Sequence, residues 1–120
     1  MSETVSTEDL DNALRQSGLV IEARYVEPLA QYCQLLWKLN RQLNLTRHTD
    51  YQVFVARDIV DSLQLSTLVH PGERVLDIGS GGGVPGVVLC ILRPDVDVTL
   101  CESVGKRQDA LQLICNELRL

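Results

Sequence analysis

The sequence predicts an α/β protein, with a helical N-terminal region over residues 1–72 and a parallel-sheet unit over residues 73–120. Three observations carry this expectation. Apolar residues recur at helical spacing as far as residue 68 and then give way to short β-branched runs. The turn "HPGE", residues 70–73, marks the change. Finally, "VLDIGSGGGVPG", residues 75–86, sets four glycines within five positions, after a strand-like run and ahead of a helical one.

"STEDLDNALRQSGL" reads as a short helix. Ser6 or Thr7 can cap it, acids fill its first turn, Leu10 and Leu14 stack one turn apart, and Gly18 ends it. Over residues 24–43, Val26, Leu29, Ala30, Cys33, Leu36, Trp37 and Leu43 follow helical spacing, the stripe of a packing face. "NLTRHTD" interrupts the stripe. Asp50 then stands where it can cap one or two helices running to residue 68, built on Val53, Ala56, Val60 and Leu63. "RVLDIG" reads as a short strand of the buried type. "VPGVVLCIL" is a helix with Pro85 in its first turn, where a missing N–H costs nothing, and "RPD" ends it. "VDVTLCE" is a second strand, and "GKRQDALQLICNELRL" a second helix with Ala110, Leu111, Ile114, Cys115 and Leu118 on one face. Strand, glycine turn, helix, strand, helix describes a right-handed parallel βαβ unit followed by its next helix, the first half of a Rossmann-like fold.

The 120 residues suffice for one small domain, and 45% apolar content suits a globular one. No apolar run approaches a membrane span, and the acidic N-terminus lacks the hydrophobic segment of a secretory signal, so a cytoplasmic location is expected. Cys33, Cys90, Cys101 and Cys115 show no CxxC pairing and no histidine at ligand spacing; they read as reduced thiols, not as metal ligands. A net charge of −5 argues against a general nucleic-acid binder. Between residues 38 and 57, however, Lys38, Arg41, Arg47 and Arg57, with His48 among them, face the single acid Asp50. A solvated helix surface is the commoner origin of such a stretch; a local basic face is the other.

A glycine bend after the first strand of a parallel sheet is where such folds bind nucleotide-like ligands, because the chain turns tightly there and a ligand can approach without meeting Cβ atoms. A tight turn with no ligand is the plain alternative. A Walker-type phosphate loop is excluded, since no lysine lies between Lys38 and Lys106. A dinucleotide stays open, because "GGGVPG" matches G-x-G-x-x-G. Charge favours S-adenosyl-L-methionine instead. Asp77 sits two residues ahead of Gly79, where it would crowd a pyrophosphate but attract the cationic amino-acid end of a phosphate-free cofactor. Free N–H groups at the helix start by Val84 and Pro85 can favour that cofactor's carboxylate. Glu102 ends the second strand, 23 residues after Gly79, where a carboxylate can accept both hydroxyls of a ribose. NAD sites use an acid there too, so Glu102 points to an adenosine-containing cofactor without choosing between the two.

In order, "NRQLNLT", "RDIVDSL", "RVLDIGSGGGVPG", "RPD" and "ESVGKR" resemble the RsmG/GidB family, bacterial S-adenosylmethionine-dependent methyltransferases of a class I, Rossmann-like fold that modify N7 of a guanine in small-subunit (16S) ribosomal RNA. The resemblance implies that Gly79 and Val84 contact the cofactor, that Gly81 and Gly83 shape its turn, and that Glu102 and Ser103 lie at the ribose and adenine. Asn44, Thr46, Arg57, Asp61 and Ser62 fall on family-signature positions, expected near the cofactor or substrate mouth or in helix caps. The family commonly has histidine after the arginine aligned with Arg57, and this chain has Asp58. The family also continues through further strands past the helix that ends at Leu120. The chain is therefore expected to be either a truncated form or a remnant that no longer catalyses, marginal in stability, prone to self-association and weak in cofactor binding. Guanine N7 carries a lone pair and no proton, so its methylation needs no general base, and no catalytic residue is assigned. The residues alone leave two rival classes: an NAD(P)-binding oxidoreductase fragment, and a non-catalytic module that binds RNA or a partner.

Overall fold

The computed structural model describes residues 6–120; the acidic start at residues 1–5, read above as lacking an export signal, lies outside them. Helix α1 (Glu8–Gln16) carries Glu8, Asp9 and Asp11 at its N-terminal end, where unpaired N–H groups favour negative charge, and buries Leu10, Ala13 and Leu14. Of its two expected caps, Ser6 accepts only a long 3.4 Å bond from Glu8 N–H, and Thr7 turns its hydroxyl to Asp11. Helix α2 (Ala23–Leu43) buries Val26, Leu29, Ala30, Cys33 and Leu36 as its stripe implies, and Tyr32 besides. Asn44, in the left-handed conformation at φ 49°, ends it.

The third helical segment is continuous but not uniform: α3 (Tyr51–Val53), a π-helical stretch (Phe54–Ile59) and α4 (Val60–Ser66). Asp50 caps it as expected, its Oδ1 accepting Val53 N–H at 2.8 Å. Its buried face differs from the expected one. Val53 and Ala56 are exposed, while Phe54, Val55, Asp58, Ile59 and Ser62 are buried. The cause is that two polar residues share the inner face, so apolar periodicity alone selects the wrong side.

Strands β1 (Arg74–Ile78) and β2 (Asp97–Cys101) pair in parallel, from Arg74 opposite Asp97 to Ile78 opposite Cys101. Helix α5 (Gly86–Leu92) is the crossover between them, and α6 (Gly105–Leu118) follows β2. Helix α5 begins at Gly86, with Val84 and Pro85 ahead of it. Arg93, just past its end, clasps the helical region to the sheet: Nη1 donates to Ser66 O at 2.8 Å and Val69 O at 3.0 Å, while Asp95 holds the guanidinium with two further bonds. One hydrophobic core runs from Leu10 of α1 through Leu36 and Ile59 to Val87 and Ile114.

The strands are not of the buried type. Helix α5 packs over Asp77 and Leu100, and on the opposite face Leu76 and Ile78 are 57% and 79% exposed. Among the described residues each strand also keeps one unpaired edge. Bare edges beside an apolar face template pairing with another chain. In size-exclusion chromatography with light scattering, the chain is expected to form concentration-dependent oligomers, and Ile78→Lys to shift them toward monomer. A monodisperse monomer at every concentration would refute this.

Candidate functional site

The bend between β1 and α5 is held by its own amides. Gly79 and Ser80 both donate to Cys101 O, at 2.8 and 3.0 Å, Gly83 donates to Ser80 O at 2.7 Å, and Ser80 Oγ donates to Asp77 O. Its glycines serve two purposes. Gly79 and Gly81 adopt φ of +76° and +53°, and the space beside them is open: a Cβ on Gly79 would meet nothing within 4 Å, one on Gly81 only Gly79 O at 3.9 Å. Gly82 and Gly83 are buried, and there the missing side chain makes room for the protein itself. A Cβ on Gly82 would stand 2.6 Å from Leu45 O, and one on Gly83 2.6 Å from Val87 Cγ2.

The two acids of the bend sit on either side of it. Asp77 Oδ2 accepts Gly86 N–H at 3.1 Å, so this carboxylate lies under the first turn of α5 and fixes where that helix starts. Val87 N–H is taken by Gly83 O at 2.6 Å. Asp77 and Gly83 therefore use the N–H groups of Gly86 and Val87; Pro85 has none, and that of Val84, just ahead of the helix, is not among the engaged ones. Glu102 reaches back from the end of β2: Oε1 accepts Gly81 N–H at 2.8 Å and Oε2 accepts Val104 N–H at 3.0 Å. Those two bonds, Val104 first, hold its carboxyl below the usual range. Ser103 is exposed beside it, and Val84 is half-buried against the core. Gly79, Glu102, Ser103 and Gln108 rim a cleft of about 870 Å³ that continues along β2 to Cys115. A groove of about 940 Å³ between α2 and the end of α6 touches none of the glycines.

Behind the bend stands a support that the sequence reading did not identify. Tyr32, wholly buried, donates its hydroxyl to Gly82 O at 2.6 Å. Burial pushes its phenol well above the ordinary value, so the proton stays in place. Asn40 Oδ1 accepts the N–H groups of Leu45 and Thr46 at 2.6 and 2.9 Å, seating Leu45 against Gly82. Of the signature positions, Asn44 is a helix terminator and Thr46 Oγ1 accepts His48 N–H at 3.1 Å. Arg57 and Asp61 are exposed, whereas Ser62 is buried and its hydroxyl has no hydrogen-bond partner among the described residues. Asp58 is buried and lies 2.9 Å from His48 Nδ1. The basic side chains Lys38, Arg41, Arg47 and Arg57 are all exposed. Among the described residues no three His, Cys, Asp or Glu side chains gather as a metal site, and no helix is long and apolar enough to cross a membrane.

A helical region packed on a parallel βαβα unit, with a glycine bend at the end of its first strand, is a partial α/β methyltransferase fold. The family described as "rRNA small subunit methyltransferase G", GidB, matches residues 25–120, and the chain belongs to that family. Among curated proteins it is similar to the ribosomal RNA small subunit methyltransferase G of Rhodopirellula baltica, 53% identical over 112 residues covering 93% of this chain and 48% of that protein. The protein of the same name from Pectobacterium carotovorum subsp. carotovorum is 41% identical over 111 residues, covering 92% of this chain and 53% of its own length. The chain thus spans about half the length of the curated relatives it matches.

Proposed function

We propose that the chain carries the S-adenosyl-L-methionine-binding part of a methyltransferase acting on N7 of a guanine in 16S ribosomal RNA, free or within the small subunit, in the cytoplasm. The observation that carries this reading is the bend itself: open glycine backbone at Gly79 and Gly81, with the Glu102 carboxylate 2.8 Å from Gly81 N. The bend also disfavours a dinucleotide. A pyrophosphate would meet two flanking carboxylates, and the N–H groups of Gly79, Ser80 and Gly83 are already taken by backbone carbonyls. A cationic, phosphate-free adenosine cofactor has neither difficulty.

In this reading the cofactor-binding residues are Asp77, Gly79, Gly81, Gly83, Val84, Glu102 and Ser103. Gly79 and Gly81 present bare backbone, and Glu102 turns its oxygens from the two amides to a ribose diol. Asp77 holds α5 in place and supplies negative charge near the ligand's cationic end. The bound cofactor supplies an electrophilic methyl group. The protein's part is to align that group with a base presented from an unstacked or looped RNA strand and to exclude water. Tyr32, Leu36 and Leu45 of the helical region back the bend, and the exposed cations from Lys38 to Arg57 are placed to meet phosphate.

Separate calorimetric titrations with S-adenosylhomocysteine and NADH test the cofactor. Tighter binding of the former is expected, with Glu102→Gln losing about tenfold in affinity; tighter NADH binding would overturn the reading in favour of an oxidoreductase fragment. Transfer of labelled methyl to small ribosomal subunits, by this chain and by any longer product of its coding sequence, tests the reaction. Cofactor binding without transfer from either would leave a non-catalytic module.

A further inference from the structure

A line of contacts runs from the third helical segment to the middle of the bend, and one of its links can change charge. Asp58 Oδ1 lies 2.9 Å from His48 Nδ1; the Asp58 side chain is 11% exposed and that of His48 35%. The backbone of His48 is fixed on both sides, its N–H by Thr46 Oγ1 at 3.1 Å and its carbonyl by the indole N–H of Trp37 at 2.8 Å. Next along the chain, Leu45 and Thr46 hang on Asn40, and the Leu45 carbonyl lies so close to Gly82 that no Cβ would fit between them.

We propose that His48 and Asp58 are positioning residues for the cofactor bend: as a charged pair they keep residues 44–49 seated on Gly82, and the bend binds its cofactor less tightly once the pair loses its charge. The inference rests on the cofactor reading given above.

The contact is an ion pair only while the imidazole is protonated and the carboxylate ionised. A neutral ring leaves an ordinary hydrogen bond, which is weaker than a charge-assisted one. At the acid end the carboxylate itself protonates; burial pushes Asp58 up, the bond from His48 opposes this, and Asp61 adds to the rise. The charged pair therefore needs Asp58 ionised and the imidazole protonated together. The other titratable groups facing Asp58 are Tyr32 and Cys33 of α2, both pushed well above their ordinary values by burial, so they stay neutral throughout. Arg47, beside His48, is exposed. A raised carboxyl contributes stability in acid that is lost as pH rises through its folded value. The positioning role is consequently read at the bend, not from overall melting.

The test compares the wild-type chain with Asp58→Asn and His48→Gln over roughly pH 5–8, where histidine side chains change charge. Three readouts are followed: S-adenosylhomocysteine affinity, emission of the single tryptophan Trp37, and exchange protection of the amides of residues 81–83 corrected for intrinsic rates. In the wild type, affinity is expected to fall about fivefold between roughly pH 6 and 8, with Trp37 emission and protection changing over the same range, and both variants should be flat. A wild-type affinity independent of pH, or a slope that survives in both variants, would overturn the proposal. If Asp58→Asn does not fold, His48→Gln, at a partly exposed position, carries the comparison. Should no cofactor bind at any pH, the cofactor reading fails, and the link from pair to bend is still decided: protection that follows pH supports it, flat protection refutes it.

Discussion

Gly82→Ala is expected to unfold or severely loosen the chain. The new methyl carbon would stand 2.6 Å from Leu45 O, 3.2 Å from Leu45 C and 3.3 Å from Leu36 Cδ1. Two of those neighbours are backbone atoms, so no side-chain rotation relieves the clash. Leu45 cannot retreat freely either, because its N–H is fixed to Asn40 and the segment behind it to Trp37. Overpacking of a buried site costs about 1–3 kcal/mol, and a clash with fixed backbone belongs at the upper end of that range. Urea denaturation gives the measurement. Gly105→Ala is the control: a Cβ there meets nothing within 4 Å, and its midpoint should stay near that of the wild type. Equal midpoints for Gly82→Ala and Gly105→Ala would mean that the loop after α2 does not press on the bend.

The same contact explains which parts of the molecule could be read from the chain and which could not. Strand, bend, helix, strand and helix were legible because each is written in short-range signals: the change of period near residue 73, the glycines of the bend, the capping Asp50. Glu102 was legible as an acid at the end of the second strand. Spacing told that Asp77 lies near the bend but not that its Oδ2 points beneath α5. Tyr32 escaped notice because its partner is 50 residues away and a tyrosine in an apolar stripe looks like more core. Asp58 and Ser62 hid the inner face of the third helical segment by placing polar groups where periodicity seeks apolar ones. Leu76 and Ile78 read as buried because a run of apolar strand residues says nothing about how many layers cover it. Long-range partners and layer count are tertiary facts, and a local pattern has no term for either.

Tyr32 separates the two halves of the argument about the bend, since its ring and its hydroxyl do different work. The ring is wholly buried and lies 6.1 Å from that of Phe54, between the helical region and the sheet unit. Tyr32→Ala removes it and is expected to cost about 3–5 kcal/mol of stability, the range for deleting a buried aromatic side chain. Tyr32→Phe keeps the ring and removes only the donor to Gly82 O, leaving a buried carbonyl without that partner, a loss of about 1–3 kcal/mol. Its effect should be local. Exchange at the amides of residues 81–83 should accelerate more than exchange in α2 or α6, and S-adenosylhomocysteine affinity should fall at temperatures where the variant remains folded. The phenol's raised pKa means that the wild-type bond persists through neutral and mildly alkaline pH, so Tyr32→Phe should shift affinity equally at every pH where His48 variants flatten it. A Tyr32→Phe chain with unchanged bend protection and unchanged cofactor affinity would show that the helical region merely covers the bend. A local loss would show that it sets the bend's shape.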